Sequence, residues 1–462
     1  MRTRNASGRA DLRRSPQALR PSGVTHAPKS PKRRAPRRTQ ESRTKAAREK
    51  LLNASLEVLR ERGYKTRHFR EEYMLRHILM GAALAAAATL PAHAQQKVKI
   101  GFLTTFSGGA SVIGNEMRDA FELALDHLDR KMGGVEVEVV YEDDQQKPDV
   151  GKQKTDKMIE SDKVNFLTGY AWSNVLLASL KSATDSGTFI ISANAGPSQI
   201  AGELCSPFFF STSWQGDQVP QAVGEYMNQK GVKTVYLIAP NYAAGKDVIA
   251  GLKAAFKGQV VGEDYTKWPD QLDFSAELSK ARAAKPDAIF AFYPGGAGVQ
   301  FLTQYSQAGL RGQIPLYTSF IIDEISIPRL KDLSVEVPGA DHWVNDLPNE
   351  ANKKFVADFK RKFKRDPSAF AARSYDAAML IDSAVKAVGG DLSKKDAIRD
   401  AMRKVNYASV RGPYKYGNNH FPIQNFYLQE TVKSGDNFAL KTVALALKDH
   451  QDRYAAKCNM KW

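Results

Sequence analysis

Six short stretches carry residue types that could hold a small molecule, and none carries the types that would transform one. They are Ser107-Gly108-Gly109-Ala110-Ser111, Gly169-Tyr170-Ala171-Trp172-Ser173-Asn174, Ala193-Asn194-Ala195-Gly196-Pro197-Ser198, Asn241-Tyr242-Ala243-Ala244-Gly245, Tyr293-Pro294-Gly295-Gly296 and Ser319-Phe320. Small residues let backbone approach a ligand closely. Hydroxyls and the free amides at a helix start attract an anion such as a carboxylate. Aromatic side chains supply flat apolar walls with polar tips. The residues expected to contact a ligand are Ser107, Tyr170, Trp172, Ser173, Asn174, Ala195, Gly196, Tyr242, Tyr293 and Phe320. Singly, each has a plainer explanation: an aromatic as core, Ser173 as a helix N-cap. Their shared position is what argues for a site.

Signatures of bond-making are missing from the sequence. No G-x-S-x-G, Walker A or H-E-x-x-H motif occurs. Gly296-Ala297-Gly298 follows an apolar run, as a dinucleotide loop would, but Phe301 stands where the third glycine belongs. His127, His342, His420 and His450 are scattered, each expected at the surface or satisfied in the core. Glu142-Asp143-Asp144 could ligate a cation, and a solvated strand end is the plainer reading. An enzyme, a cofactor and a metal are therefore not expected. Cys205 and Cys458, the two cysteines, either form one disulfide that pins the C-terminal end to the first half of the chain or stay as buried thiols. Without a C-x-x-C pair, zinc and redox chemistry are not favoured.

The elements that position these stretches follow from hydrophobic periodicity. In Lys97–Arg130, an apolar run through Val98, Ile100, Phe102 and Leu103 predicts a mostly buried strand. A small-residue loop follows, and Met117, Ala120, Phe121, Ala124, Leu125 and Leu128 then recur at helical spacing. Val135–Tyr141 alternates strictly. Strands and helices then alternate from about 150 to 192 and again from 234 to 318, predicting parallel sheets with helices on both faces. An irregular break near Phe208–Pro220 divides the two runs. The tail reads as three helices (349–364, 369–389 and 393–404) and two or three short strands. Its strands are too few for a third sheet of that kind, so it is expected to complete both halves, the chain crossing between them more than once. The fold class is α/β, two doubly wound parallel-sheet lobes joined by a multi-crossover hinge. The lobes are expected over 95–216 plus 345–420 and over 217–344 plus 421–462. Each candidate loop then lies at the carboxyl edge of a strand, where open α/β sheets bind ligands.

Charge is concentrated at the front. The 462-residue chain carries a formal +17, of which about +14 falls in residues 1–73 and about +2 after residue 94. A nucleic-acid partner for the whole chain is therefore not expected. Met74–Ala94 has a positive Arg76, an apolar stretch of about a dozen residues and an Ala92-His93-Ala94 cleavage site, the parts of a secretory signal. Residues 1–40 have too few apolar residues to fold. Thr44–Tyr64 has an amphipathic helical pattern and, in REKLLNASLEVLRERGY, resembles the first helix of TetR-family DNA-binding domains. The recognition helix that such a domain needs does not follow. Translation is expected to begin at Met74, with residues 1–73 as upstream sequence or a fusion scar.

From Gln95 the chain resembles the extracellular solute-binding proteins of ABC importers, in the branch with the leucine/isoleucine/valine-binding-protein (type I periplasmic binding protein) fold. The resemblance is carried by KIGFLTTFSGGASVIGNEMRDAFELAL, EDDQQKPDV, ISANAGPSQIAGELCSPFFF, APNYAAGKD, PDAIFAFYPGGAG, AARSYDAAMLIDSAV and VRGPYKYGNNHFPIQ. It implies two lobes joined by three crossovers and closing on ligand. The ligand's charged end would meet Ser173 and the backbone near Ala195-Gly196, with Tyr242, Tyr293 and Phe320 closing from the other lobe. It also implies a periplasmic monomer with a small-molecule carboxylate as ligand and ABC permease subunits as partners. Amino-acid binders of the family usually place an acid in the second lobe; here Phe320 sits near that position and Asp323 is the nearby acid. The AGPS and PNYAAGKD wording is similar to relatives that bind aromatic carboxylates. An aromatic carboxylic acid is thus the expected ligand, with a branched-chain amino acid, and then a sensor role, as the alternatives.

Overall fold

The computed structural model describes residues 48–55, 57 and 97–460. The chain divides into two units, 1–91 and 92–462. In the first, residues 48–55 and 57, within the Thr44–Tyr64 stretch, are helical. The export signal expected at Met74–Ala94 lies outside the described residues.

The second unit is built on two parallel sheets. Strands β1 (Val98–Thr104), β2 (Lys131–Met132), β3 (Val135–Asp143), β4 (Phe166–Gly169), β5 (Phe189–Ser192) and β6 (Phe209–Ser211) form the first, in the order β2-β3-β1-β4-β5-β6. All neighbours are parallel except the β2–β3 hairpin. β1 lies between β3 and β4, so Val98, Ile100, Phe102 and Leu103 are fully buried, which explains their near-continuous apolar run. Strands β7 (Thr234–Pro240), β8 (Gln259–Thr266), β9 (Ala288–Phe292) and β10 (Leu316–Ser319) form the second, in the order β10-β9-β7-β8. In each sheet the chain steps from the first strand to one neighbour and then crosses to the other side. A switch point therefore falls between β1 and β4 and between β7 and β9, where a crevice opens at the carboxyl ends.

The tail returns to both sheets. Helix Ala369–Ala387 packs on helix Ser111–His127 of the first sheet, where Ser374 donates its hydroxyl to the Met117 carbonyl at 2.7 Å and the Ser368 amide meets Glu116 at 2.8 Å. A third, antiparallel sheet joins β11 (Gly339–Asp341) and β12 (Lys415–Tyr416) to the hairpin of β13 (Pro422–Ser434) and β14 (Asn437–His450). Cys205 and Cys458 are disulfide-bonded across 253 residues, tying the last residues to the segment that precedes β6.

The segment 208–220, read from the sequence as an irregular break, is ordered structure. β6 completes the first sheet, and a helix runs over Gln218–Gln229. Three residues are too few to show a period, and Pro220 sits in the first helical turn, where its missing N–H has no intrahelical acceptor to lose.

Candidate functional site

The carboxyl ends of the two sheets face one another across a crevice of about 440 Å3, a figure that includes space open to solvent. Of the expected residues, Trp172, Ser173, Ala195, Gly196, Tyr242 and Phe320 line it, together with Asn194, Trp214, Phe292, Pro294 and Phe370. No acidic or basic side chain is in the lining.

The first-sheet wall is made by the turns after β4 and β5. Gly169 has φ +96° and a Cβ there would lie 2.2 Å from the Leu103 carbonyl, so only glycine fits. The chain then turns through Tyr170 (φ +56°) and enters the helix Ser173–Asp185 at Trp172. The first amides of that helix have no intrahelical acceptor, and the Ser173 hydroxyl makes no hydrogen bond to any described residue. Gly196 admits the neighbouring crossover: a Cβ would sit 1.9 Å from the Trp214 carbonyl, and the Gly216 amide donates to the Gly196 carbonyl at 2.7 Å. From the second sheet, Tyr242 and Ala244 bring the start of helix Ala243–Ala255, and Pro294 precedes helix Gly296–Gln307. Two helix N-termini thus border an uncharged cavity, with Pro294 two residues ahead of a third helix, and a helix N-terminus favours an anion.

A chain of rings closes around the void. Trp172 meets Trp268 at 5.1 Å between centroids, Trp268 stacks on Tyr242 at 4.5 Å, and Tyr242 lies 6.3 Å from Phe292. Phe292 meets Phe320 edge-on at 5.9 Å, and Phe320 stacks on Trp214 at 4.8 Å. The ends of this chain are fixed from behind. Trp172 Nε1 donates to Thr105 Oγ1 at 2.7 Å, and Thr105 donates in turn to Asp144. Asp144 is therefore no solvated strand end, as the sequence suggested: it is buried, and burial raises its carboxyl to about 6. Behind Trp214 lies Arg373, its guanidinium 4.0 Å from the ring centroid. Arg373 is fully buried, donates to Asn194 Oδ1 at 2.6 Å and pairs with Asp341 at 2.7 Å. Burial alone would raise the Asp341 carboxyl; Arg373 and His342 outweigh it and hold it at about 2.

Four expected contacts are not brought to this cavity. Ser107 is exposed on its own loop. Tyr170 points into the core, its hydroxyl 2.9 Å from Thr155. Tyr293 does the same, 2.8 Å from Thr266 and packed on Phe274 and Phe301. Phe292, one residue earlier, lines the void instead, because adjacent residues at a strand end face opposite ways. Asn174, one step past Ser173, is rotated about 100° around its helix and is not in the lining. Asp323 is also outside it. Its Oδ1 accepts the amides of Ile325 and Ser326 at 3.0 and 2.7 Å. Trp214, Trp268, Phe292 and Arg373 escaped the sequence reading.

A family model described as periplasmic binding protein matches residues 97–436. Leu/Ile/Val-binding protein homolog 6 of Brucella melitensis is 28% identical over 353 residues, covering 73% of this chain and 88% of its own length. Among solved structures, a solute-binding protein of an ABC transporter from R. palustris in complex with benzoate is 33% identical with a TM-score of 0.75, covering 79% of this chain and 100% of its own. Another, from Rhodopseudomonas palustris BisB5 in complex with 3,4-dihydroxybenzoic acid, is 28% identical with a TM-score of 0.73, covering 77% of this chain and 99% of its own.

Proposed function

The chain belongs to the periplasmic binding protein family, and on that premise we propose that this ABC-transporter solute-binding protein carries an aromatic carboxylic acid. Its place is the periplasm, and its working partners are a small-molecule ligand and the membrane permease. The observation that carries the ligand reading is the cavity itself: aromatic walls on both sides, two helix N-termini at its edge, and no charged side chain in the lining. Ring faces suit an aromatic ring, and unpaired amides with the Ser173 hydroxyl suit its carboxylate. The benzoate and dihydroxybenzoate complexes of relatives support the same choice.

An α-amino acid is the second reading, supported by the name of the Brucella relative. It would need an anionic partner for the ammonium group, and Asp323 stands apart from the lining. In the favoured account the monomer, exported by Met74–Ala94, holds 95–216 with 345–420 as one lobe and 217–344 with 421–462 as the other. Ligand contacts from both lobes favour the closed form over the open one, and no bond in the ligand is broken.

Calorimetric titration of the full chain with benzoate and with isoleucine tests the ligand class. Benzoate is expected to bind with quenching of tryptophan fluorescence and isoleucine to bind far more weakly; the reverse order would install the amino-acid reading.

A further inference from the structure

Asn194 stands in the turn after β5 and lines the crevice. Both ends of its side-chain amide are held from behind. Its Oδ1 accepts from Arg373 at 2.6 Å, and its Nδ2 donates to the Ala171 carbonyl at 2.7 Å. These roles do not exchange: a guanidinium only donates and a carbonyl only accepts, so the two partners fix which way the amide points. Ala171 is two residues ahead of Ser173, and the Ala195 amide donates to the Tyr170 carbonyl at 3.0 Å. Asn194 therefore stands beside the start of helix Ser173–Asp185. An amide nitrogen carries two hydrogens, and the second on Nδ2 has no partner among the described residues.

Arg373 is fully buried and is not in the lining. Its guanidinium nevertheless touches two residues that are: Asn194, and Trp214, whose ring centroid is 4.0 Å away. Asp341, its paired carboxylate, is absent from the lining. The ion pair thus turns its positive end toward the crevice. In a low-dielectric interior each hydrogen bond of a chain polarises the next, so a cation on Oδ1 makes the N–H of the same amide a stronger donor.

We propose that Asn194 Nδ2 donates to the carboxylate of the bound ligand, and that Arg373 is the positioning residue that aims this amide and lends it positive charge. The inference rests on the aromatic-carboxylate reading above and deepens it, naming the group that tells a charged acid from a neutral molecule of the same shape. With the Ser173 hydroxyl on the neighbouring turn, the carboxylate gains two side-chain donors and no direct ion pair. That is how an uncharged lining selects an anion.

The test is calorimetric titration of the full chain with benzoate and benzamide, which match in shape and differ in charge. The ratio of their affinities is the readout, because a general loosening of the site weakens both. The wild type is expected to favour benzoate about tenfold or more, as a hydrogen bond to a charged group provides. Asn194→Ala should lower that ratio about fivefold. Asn194→Asp keeps an acceptor for Arg373 but sets a carboxylate against the ligand's own; it should fold, with a ratio below that of Asn194→Ala. Arg373→Met/Asp341→Leu removes the cation together with the anion that neutralises it, and should lower the ratio about threefold. A wild-type ratio near one, or a ratio unchanged in Asn194→Ala, overturns the contact. A ratio unchanged in the double variant overturns the role of Arg373. Each of these spares the aromatic reading, whereas a wild type that binds neither compound overturns both. The Asn194 variants decide the contact even where the double variant does not fold.

Discussion

The carboxylate of Asp247 accepts both the amide and the hydroxyl of Ser198, at 2.8 and 2.7 Å. Asp247 stands on the helix Ala243–Ala255 that follows β7, and Ser198 follows the Gly196 turn after β5. The pair therefore joins the two sheets' edges a few residues from the cavity. Hydrogen bonds to charged groups contribute about 1.5–3 kcal/mol net of the water bonds they replace. Asp247→Ala is expected to weaken ligand binding about tenfold by making closure less favourable. Calorimetry should show the loss, and small-angle scattering should show a more open ligand-bound population. Unchanged affinity would mean that the pair does not distinguish the open and closed forms.

Ser173 and Trp172 separate the two kinds of contact invoked for the ligand. The Ser173 hydroxyl has no described protein partner, so Ser173→Ala removes a ligand bond and little else; a loss of about 1 kcal/mol, roughly fivefold in Kd, is expected. Trp172→Phe keeps a ring but frees Thr105 Oγ1 of its donor, and should loosen the wall's orientation with a smaller change in melting temperature than in Kd. Normal binding by both variants would remove this helix start from the site.

The sheets were legible because their strands are apolar over four or more residues, as in Ile100–Leu103, or alternate cleanly, as in Val135–Tyr141. The loops at their carboxyl ends were legible by composition. What failed was direction. Composition marks Tyr293 and Phe292 alike, and only the strand's two-residue period, ended at an unknown residue, decides which faces ligand. Trp214 and Trp268 lie in connections with no period at all. Arg373 sits in an alanine-rich helical face whose burial on every side, among Asn194, Trp214 and Asp341, depends on contacts more than 30 residues away in sequence. Asp144 looked solvated because it ends a run of three acids at a strand end; its side chain turns inward, to Thr105.

Arg373 and Asp341 form a fully enclosed ion pair. Removing one partner of such a pair strands the other charge and costs about 3–5 kcal/mol. Arg373→Met should therefore lower the melting temperature strongly, and adding Asp341→Leu should restore much of the loss. The pH dependence has a defined sign. The folded Asp341 carboxyl lies at about 2, below its unfolded value near 3.9, so its contribution is present above pH 4 and is lost as pH falls toward 2. Between those limits the wild type should lose stability while Arg373→Met/Asp341→Leu shows a flatter profile. Equal slopes in thermal melts would assign the acid sensitivity to other groups.

Asp323 has the opposite sign. Burial raises its carboxyl to about 6, against the lowering effect of the Ser326 and Ile325 bonds. A raised folded value means that the native chain holds this proton more tightly than the unfolded chain does. Stability is then fullest below about pH 4 and declines as pH rises through 6. Two pKa units correspond to about 2–3 kcal/mol, present as a penalty at neutral pH and caused chiefly by burial of the carboxylate. Asp323→Asn keeps an acceptor for Ile325 and Ser326 and removes the charge. In the ligand-free protein it is expected to raise the melting temperature by a few degrees at pH 8 and by almost nothing at pH 4, where the wild-type carboxyl already carries its proton. Scanning calorimetry at the two pH values reads the difference. A gain of equal size at both would trace the effect to packing instead of charge, and a loss at pH 8 would show that the carboxylate is satisfied in the folded chain.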